Sequence, residues 1–439
     1  MVLLKNFKNI FLIPELVKKL VFTIGVLIIY RLGSVIPVAG INASVIEEYM
    51  KQQSLMGGLL KYIEVFSGGA LSQATLFALG VGPYITSSIM MQILTMSIPS
   101  LELLSKEGEY GRKQINQYTR YLTVFIAIGQ ALGYAFYLES IPNLVASPGL
   151  GFKALFVLSL TVGSLFVMWL GEQISLFGIG SGSSMILFAG IVARFPNQFF
   201  SSYVAVQSGQ YSIVTALFYV AVYVAIAACI VFLEKGDRKI PVQYARRVVG
   251  NRVYGGQSTY IPFKINSAGV MPVIFAGSIL QLPMFLASML SGYFDWLKVV
   301  KEALMPTHPL YNALEFALII GFSFLYTAMI FNPVELADTM KKNGGFIPGI
   351  RPGTQTANYF DYILNRIGLV GAIYLGFLAI TPNVLQMFFP FTTFFLGGTT
   401  ILIVVGVALE VSSQIESYLI EHRYEGFLSS GRIKNKVNR

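Results

Sequence analysis

Two histidines and one cysteine are all that this 439-residue chain offers as soft metal ligands. His308 and His422 are far apart, and Cys229 stands in an apolar run. Neither a zinc or haem centre nor a disulfide framework is expected, and no cofactor is predicted. Ionisable side chains inside long apolar segments are the other place to seek chemistry, because driven ion or proton transporters use buried carboxylates or histidines as relays. Arg31, Glu172 and Glu410 are the nearest candidates. Arg31 lies towards the outer end of its segment, from which a long side chain can snorkel to the interface. Glu172 and Glu410 lie towards cytoplasmic ends, where interfacial or helix-packing roles are expected. The stretch GIGSGSS at 178–184 has the look of a phosphate-binding glycine loop. It has no following lysine and no preceding strand, and it joins two apolar segments, so a tight helix-to-helix turn is the better reading.

Behind these few polar candidates stands a chain built for lipid. Hydrophobic residues make up 55% and charged residues 12%, against about a quarter charged in a soluble domain, and the mean hydropathy is +0.66. A bilayer core about 30 Å thick needs roughly 20 apolar residues per helix. Apolar runs between charged or Pro/Gly-rich breaks predict ten helices, near 20–37, 71–97, 120–138, 153–171, 183–200, 212–233, 267–290, 313–332, 366–388 and 397–416. The second is longer than a bilayer requires and is expected to tilt, protrude or break. The basic, amphipathic start MVLLKNFKNIFLIPELVKK carries no cleavage pattern, so the first apolar helix is expected to stay in the protein.

Lysine and arginine orient the stack, since basic residues are retained on the cytoplasmic side. With the N-terminus inside, the cytoplasmic set is the N-terminal tail, 98–119, 172–182, 234–265, 333–365 and the C-terminal tail. Segment 234–265 alone holds Lys235, Arg238, Lys239, Arg246, Arg247, Arg252 and Lys264, whereas the opposite loops hold scattered Lys51, Lys61, Arg194, Lys298 and Lys301. Both termini are therefore expected in the cytoplasm.

Ten spans divide as five plus five, and an odd number per half makes the second half enter from the opposite side, as in an inverted repeat. Each half holds an apolar segment interrupted by Gly and Pro: FSGGAL…GVGPYI at 66–85 and NSAGVMPVIF at 266–275. Paired broken segments point to a functional site near the midplane in a channel or a transporter alike. FSGGALSQ at 66–73 is too short to span. It suits a half-helix folded into a cavity, because non-helical backbone at membrane depth must be buried or face water. RKIPVQYARRVVG and NGGFIPGIRPG, in the two long basic loops, read as ordered segments, since turn residues punctuate apolar stretches. A soluble partner docked on the cytoplasmic face explains both their charge and their apolar content.

An ordered series of segments resembles the SecY/Sec61-alpha family, the channel subunits of the Sec protein translocon. It comprises YRLGSVIPVAGI (30–41), FSGGAL…FALGVGPYITSSIMMQIL (66–94), KEGEYGRKQINQYTRYLTV (106–124), MWLGEQISLFGIGSGSS (168–184), the run from Arg238 to Ala276, KNGGFIPGIRPG (342–353), FLGGTTILIVVGVALE (395–410) and YEGF (424–427). The resemblance covers nearly the whole chain. It implies an all-α membrane protein of ten transmembrane helices, in two pseudo-symmetric inverted halves of five that form a clamshell, with a short plug half-helix. Polypeptides cross the pore or leave sideways through a gate between helices 2–3 and 7–8.

The resemblance also implies residue roles. A pore ring falls on Val81, Ile85, Leu187, Ile274 and Ile403; Val81 and Ile85, four apart, can share a helix face. The plug, 60–71, includes Tyr62, Phe66, Ser67, Gly68, Gly69 and Ala70. Thr86, Gln92 and Ser181 belong to the lateral gate. The family commonly has Asn and then Ile where this chain has Ser181 and Ser183, and the shorter serine puts a polar contact to Gln92 in question. Arg238, Lys239, Arg246, Arg247 and Arg351 fall where the SecA ATPase and the ribosome dock. SecE and SecG are the implied companion subunits, signal-peptide-bearing polypeptides the cargo, and lipid the destination of transmembrane segments.

The resulting plan runs through a cytoplasmic amphipathic N-terminus (1–19), an N-terminal half (20–233), a cytoplasmic basic loop (234–265), a C-terminal half (266–416) that includes the loop 333–365, and a cytoplasmic tail (417–439). A bacterial inner membrane is expected, because no transit-peptide pattern is present. The function read from this is a passive protein-conducting channel driven by SecA or the ribosome, not an enzyme. A secondary transporter would need a compact polar site for a small solute, and an intramembrane enzyme a convergent nucleophile or metal cluster.

Overall fold

The computed structural model describes residues 13–41, 70, 74–139, 144–145, 147–209, 212–244, 247–249, 252–254, 258–290, 296–305, 308–388 and 397–431. In chain order the helices are α1 (Pro14–Gly33), α2 (Gly82–Ser97), α3 (Pro99–Lys106), α4 (Glu109–Glu139), α5 (Leu150–Phe177), α6 (Gly182–Val192), α7 (Phe195–Gln207) and α8 (Ile213–Lys235). They continue with α9 (Met271–Leu290), α10 (Trp296–Ala303), α11 (Pro309–Ile330), α12 (Pro333–Lys342), α13 (Thr354–Phe388) and α14 (Gly398–Gly431). Among the described residues, strands are confined to the two long basic loops: β1 (Asp237–Tyr244), β2 (Arg247–Val249), β3 (Arg252–Tyr254) and β4 (Ser258–Lys264) in the first, and β5 (Gly345–Phe346) in the second.

Among the described residues, five helical stretches are long and apolar enough to cross a membrane: 150–177, 213–235, 309–342, 354–385 and 398–421. The bent pair α2–α3 makes a sixth. At 1.5 Å per residue, the 20-residue α1 and α9 and the 31-residue α4 also reach bilayer thickness.

Two expected spans take a different form. The segment 71–97 is not one helix: residues 74–81 are turns, and helix begins only at Gly82. Leu76 N–H donates to Ile36 O and Val38 N–H to Ala74 O, so this stretch pairs with the end of the first span instead of coiling. At its other end, Ile98 sits extended before Pro99, as the proline ring requires of its predecessor, and the chain bends by 101° into α3. The segment 183–200 is likewise two helices, α6 and α7, with Pro196 in the first turn of the second. In both places hydropathy continues across a backbone break.

The chain packs into two compact units, one of Met1–Phe199, Gln281–Lys298 and Val407–Arg439, the other of Phe200–Leu280 and Val299–Gly406. In the first, α4 presents the fully buried small residues Ala127, Ala131 and Ala135, letting α2 and α5 approach closely. Phe152, Phe156 and Leu160 of α5 fill the same core against Tyr134 and Leu138. In the second, α11 lies along α13, and Phe316 stacks obliquely on Phe377 with ring centroids 5.3 Å apart.

Candidate functional site

The two basic loops form one folded body. Strand β1 pairs antiparallel with β4, Ile240 opposite Ile261, and with β5, Gln243 opposite Phe346, giving a sheet of order β4-β1-β5. Successive strand residues face opposite sides, so Ile240 and Val242 turn inward and Lys239 and Pro241 outward; Arg238, on the inward face but at the open start of the strand, is exposed as well. The inward face meets Phe263 of β4, Met340 of α12, and Phe360 and Leu364 of α13 in a continuous apolar core. The order expected of these loops is thus accounted for: their apolar residues build a core shared between segments about a hundred residues apart.

Arg351 is exposed on the turn that follows β5, and its carbonyl accepts the Thr356 hydroxyl at 2.9 Å. Arg247 lies in β2, which among the described residues pairs only with β3; Arg246 lies outside the described residues. Exposed Arg238, Lys239 and Arg351 therefore decorate a folded support rather than a tether.

All five ring candidates are buried aliphatic side chains: Val81 2%, Ile85 9%, Leu187 2%, Ile274 4% and Ile403 0% exposed. Ile85 N–H donates to Val81 O at 3.0 Å, so these two stand one turn apart on a single helical face. Leu187 lies midway along the short α6. Ile274 opens α9, one turn beyond Val270, and Ile403 precedes Gly406 on α14 by one turn. A Cβ at Gly406 would collide with the Val270 side chain, so the glycine lets the start of α14 close on that of α9. Of the plug candidates, Tyr62, Phe66, Ser67, Gly68 and Gly69 lie outside the described residues. Ala70 is 1% exposed, and its carbonyl accepts both the N–H and the hydroxyl of Thr75 at 3.1 Å.

The gate candidates each find local partners. Thr86 donates its hydroxyl to Gly82 O at 3.0 Å, Gln92 Nε2 reaches Ser88 Oγ at 3.5 Å, and Ser181 Oγ lies 3.5 Å from Ser183 Oγ. Among the described residues no hydrogen bond joins Gln92 to Ser181, and the Gln92 carbonyl oxygen is buried without a partner. The glycine turn 178–181 is no phosphate cradle. Its N–H groups are already taken by protein oxygens, Ile179 by Thr23 Oγ1 at 3.1 Å and Gly180 by Gln414 Oε1 at 2.8 Å.

Glu172 makes a two-pronged ion pair with Arg120, both contacts at 2.8 Å, tying the end of α5 to α4. That is the packing role expected of it. The buried polar site that the sequence reading missed is Glu315, on α11, with no measurable exposure. Asn383 of α13 donates its amide to Glu315 Oε2 at 3.3 Å and to Asn312 Oδ1 at 3.2 Å. A lone carboxyl in an apolar helix is a signal in itself; its partner Asn383, 68 residues further along the chain, is not.

Residues 75–412 match the sequence profile of the SecY family. The protein translocase subunit SecY of Aquifex aeolicus (strain VF5) is 44% identical over 428 residues, which cover 96% of this chain and 98% of the relative. That of Escherichia coli (strain K12) is 44% identical over 427 residues, covering 96% and 95%. Among solved structures, a protein-conducting channel superposes with a TM-score of 0.64 at 17% identity over 91% of this chain and 92% of its own. Sec61 from the canine ribosome–channel complex of the endoplasmic reticulum does so with a TM-score of 0.60 at 17% identity, over the same shares. The fold is theirs, and with more than two-fifths of residues identical across nearly the full length of the bacterial relatives, this chain belongs to the SecY family.

Proposed function

We propose that the chain is the protein-conducting channel of a bacterial translocase. It passes unfolded, signal-bearing polypeptides across the inner membrane and releases transmembrane segments sideways into lipid. The channel itself is passive: SecA hydrolyses ATP, or the ribosome drives the chain during synthesis, while SecE clamps the halves 20–233 and 266–416 and SecG joins as a third subunit. Both termini and the loops 234–265 and 333–365 face the cytoplasm, in keeping with the lysine and arginine bias. Val81, Ile85, Leu187, Ile274 and Ile403 form a dewetting waist, since apolar constrictions can exclude ions without a solid barrier. The segment 60–71 plugs the outer funnel, and Thr86, Gln92 and Ser181 line the lateral gate.

The observation that carries the energy-coupling part of this reading is the joining of both basic loops in one core, beneath exposed Arg238, Lys239 and Arg351. Force from a soluble motor can act on a folded platform, whereas a floppy loop would absorb it. Arg351 serves this docking and not folding, because its guanidinium makes directional bonds that a carboxylate cannot replace. Arg351→Glu is expected to leave membrane insertion and subunit assembly intact and to stop ATP-driven translocation into vesicles. Normal translocation by the assembled variant rules the assignment out; failed assembly makes Arg351 structural.

A further inference from the structure

The turn between α5 and α6 is held in an unusual way. Gly178 N–H donates to Ile174 O at 2.8 Å, as a helix end does. The following donors go to side chains from different helices: Ile179 N–H to Thr23 Oγ1 of α1 at 3.1 Å, Gly180 N–H to Gln414 Oε1 of α14 at 2.8 Å, and Gly182 N–H to Ser175 Oγ of α5 at 2.9 Å. Thr23 is oriented for this, since its own hydroxyl proton goes to Lys19 O at 2.9 Å. Gly180 has φ +84°, a conformation that glycine adopts at no steric cost.

Around the turn, Ile13 and Leu16 of the α1 end pack with Ile179, Val411 and Ile415. Lys19 bonds to the Tyr418 hydroxyl and lies 4.4 Å over its ring.

What hangs from this turn is α6, a helix of 11 residues. A helix that short does not hold its place by itself. Its first residue lacks a side-chain cap, so its position is set by the turn and by its neighbours. Leu187 is five residues into it. Gln414 also stands 11 residues after Ile403 on α14, about three helical turns and so on the same face.

We infer that Gln414 and Thr23 are positioning residues of the channel: by accepting the N–H groups of Gly180 and Ile179 they fix the placement of α6, and through it Leu187. This rests on the reading of Leu187 as part of the waist. Loss of the Thr23 acceptor leaves the buried Ile179 N–H without a partner, and loss of the Gln414 acceptor does so for the half-buried Gly180 N–H; either lets α6 shift, loosening the seal without unfolding the bundle.

The test compares Gln414→Leu and Thr23→Val, which lose the acceptor at similar size, with Gln414→Glu and Thr23→Ser, which keep it. All are purified as full complexes with their companion subunits. Assembly is checked first, then ion conductance in planar bilayers and export of a precursor with a defective signal. Gln414→Leu and Thr23→Val are expected to assemble and to raise both leak and defective-precursor export roughly fivefold, the shift that one net hydrogen bond produces. Gln414→Glu and Thr23→Ser should stay near the parent. Ile85→Asn and Ile403→Asn serve as controls for the waist itself. If the controls leak while assembled Gln414→Leu and Thr23→Val remain as tight as the parent, the inference is wrong and the waist stands. If the controls too are tight, the waist reading fails and takes the inference with it. Failure of both acceptor-loss variants to assemble, with the acceptor-keeping pair intact, makes the tie purely structural and overturns the positioning role.

Discussion

Two glutamates on long apolar helices show opposite solutions to one problem. Glu172 stands near the end of α5, its side chain 22% exposed, and is gripped by both prongs of Arg120, itself 51% exposed. Glu315 stands six residues into α11, about 9 Å from the helix start. It is fully buried, and its only donor among the described residues is the Asn383 amide. One of its oxygens and the Asn383 carbonyl oxygen have no hydrogen-bond partner there. At a helix end, water and a mobile guanidinium share the work of solvating a carboxylate. Inside the bundle only the neighbouring helix can do so, and an amide is what α13 supplies, just after Pro382 in a helix already deprived of one N–H there. The lesson is that isolated polar residues at depth matter through one specific partner, whereas those at the ends are cushioned.

The inner site should therefore be the more fragile. Asn383→Leu, close in volume, removes the sole donor to a buried carboxyl and is expected to cost about 2–3 kcal/mol. Adding Glu315→Leu should recover most of that loss, because replacing both polar groups by apolar ones leaves nothing unsatisfied. Thermal unfolding of the purified complex in detergent, run as a double-mutant cycle, reads this directly. Additive losses in the double variant would mean that the two side chains do not act as a pair.

At the exposed Arg120–Glu172 pair the effect should be small. Arg120→Ala is expected to cost no more than about 1 kcal/mol, as exposed ion pairs do, and the difference should shrink in high salt. The same unfolding assay at two ionic strengths checks it. A loss as large as that of Asn383→Leu would erase the contrast between the two sites.

A third carboxylate sharpens the comparison through pH. Glu139, at the end of α4, pairs with Lys153 at 2.8 Å and accepts the Gly149 N–H at 3.0 Å. The Lys153 hydrogen bond, foremost, holds its carboxyl below the usual value of 4.5 against the opposing effect of burial, and the Gly149 N–H and the Lys153 charge lower it further. With the folded value depressed, its stabilisation is complete above the unfolded value and is lost as pH falls through the folded one. Parent protein should thus be slightly more stable than Glu139→Gln at neutral pH, and the gap should close as pH drops below about 4.5. A gap that persists unchanged into acid would show that the ion pair contributes nothing through charge.

Much of this architecture is legible in the chain itself. Apolar run lengths mark the membrane helices, since a bilayer sets their length locally. Motifs such as GIRPG around Arg351 and GVGPYI around Ile85 carry the family by themselves. The paired Arg120–Glu172 ends also fell where interfacial charges were expected. At 71–97 a break was among the expected outcomes, whereas at 183–200 one helix was expected and two are found; in both, hydropathy ran on while Pro99, Pro196 and backbone pairing with Ile36 and Val38 stopped or bent the helix. Hydropathy reports what a residue avoids, not which backbone group it bonds.

Partner choice across long stretches of chain was decided only in three dimensions. Nothing in the spacing of Gly180 and Gln414 announces a 2.8 Å hydrogen bond across 234 residues, nor does Asn383 point to Glu315 across 68. The two basic loops read as two docking segments, and only the β4-β1-β5 sheet makes them one platform. The physical reason is common to all three: periodicity, hydropathy and charge bias are properties of neighbours along the chain, and they select which face is buried. Which donor meets which acceptor depends on how the helices pack, and that is fixed by the summed contacts of the whole fold.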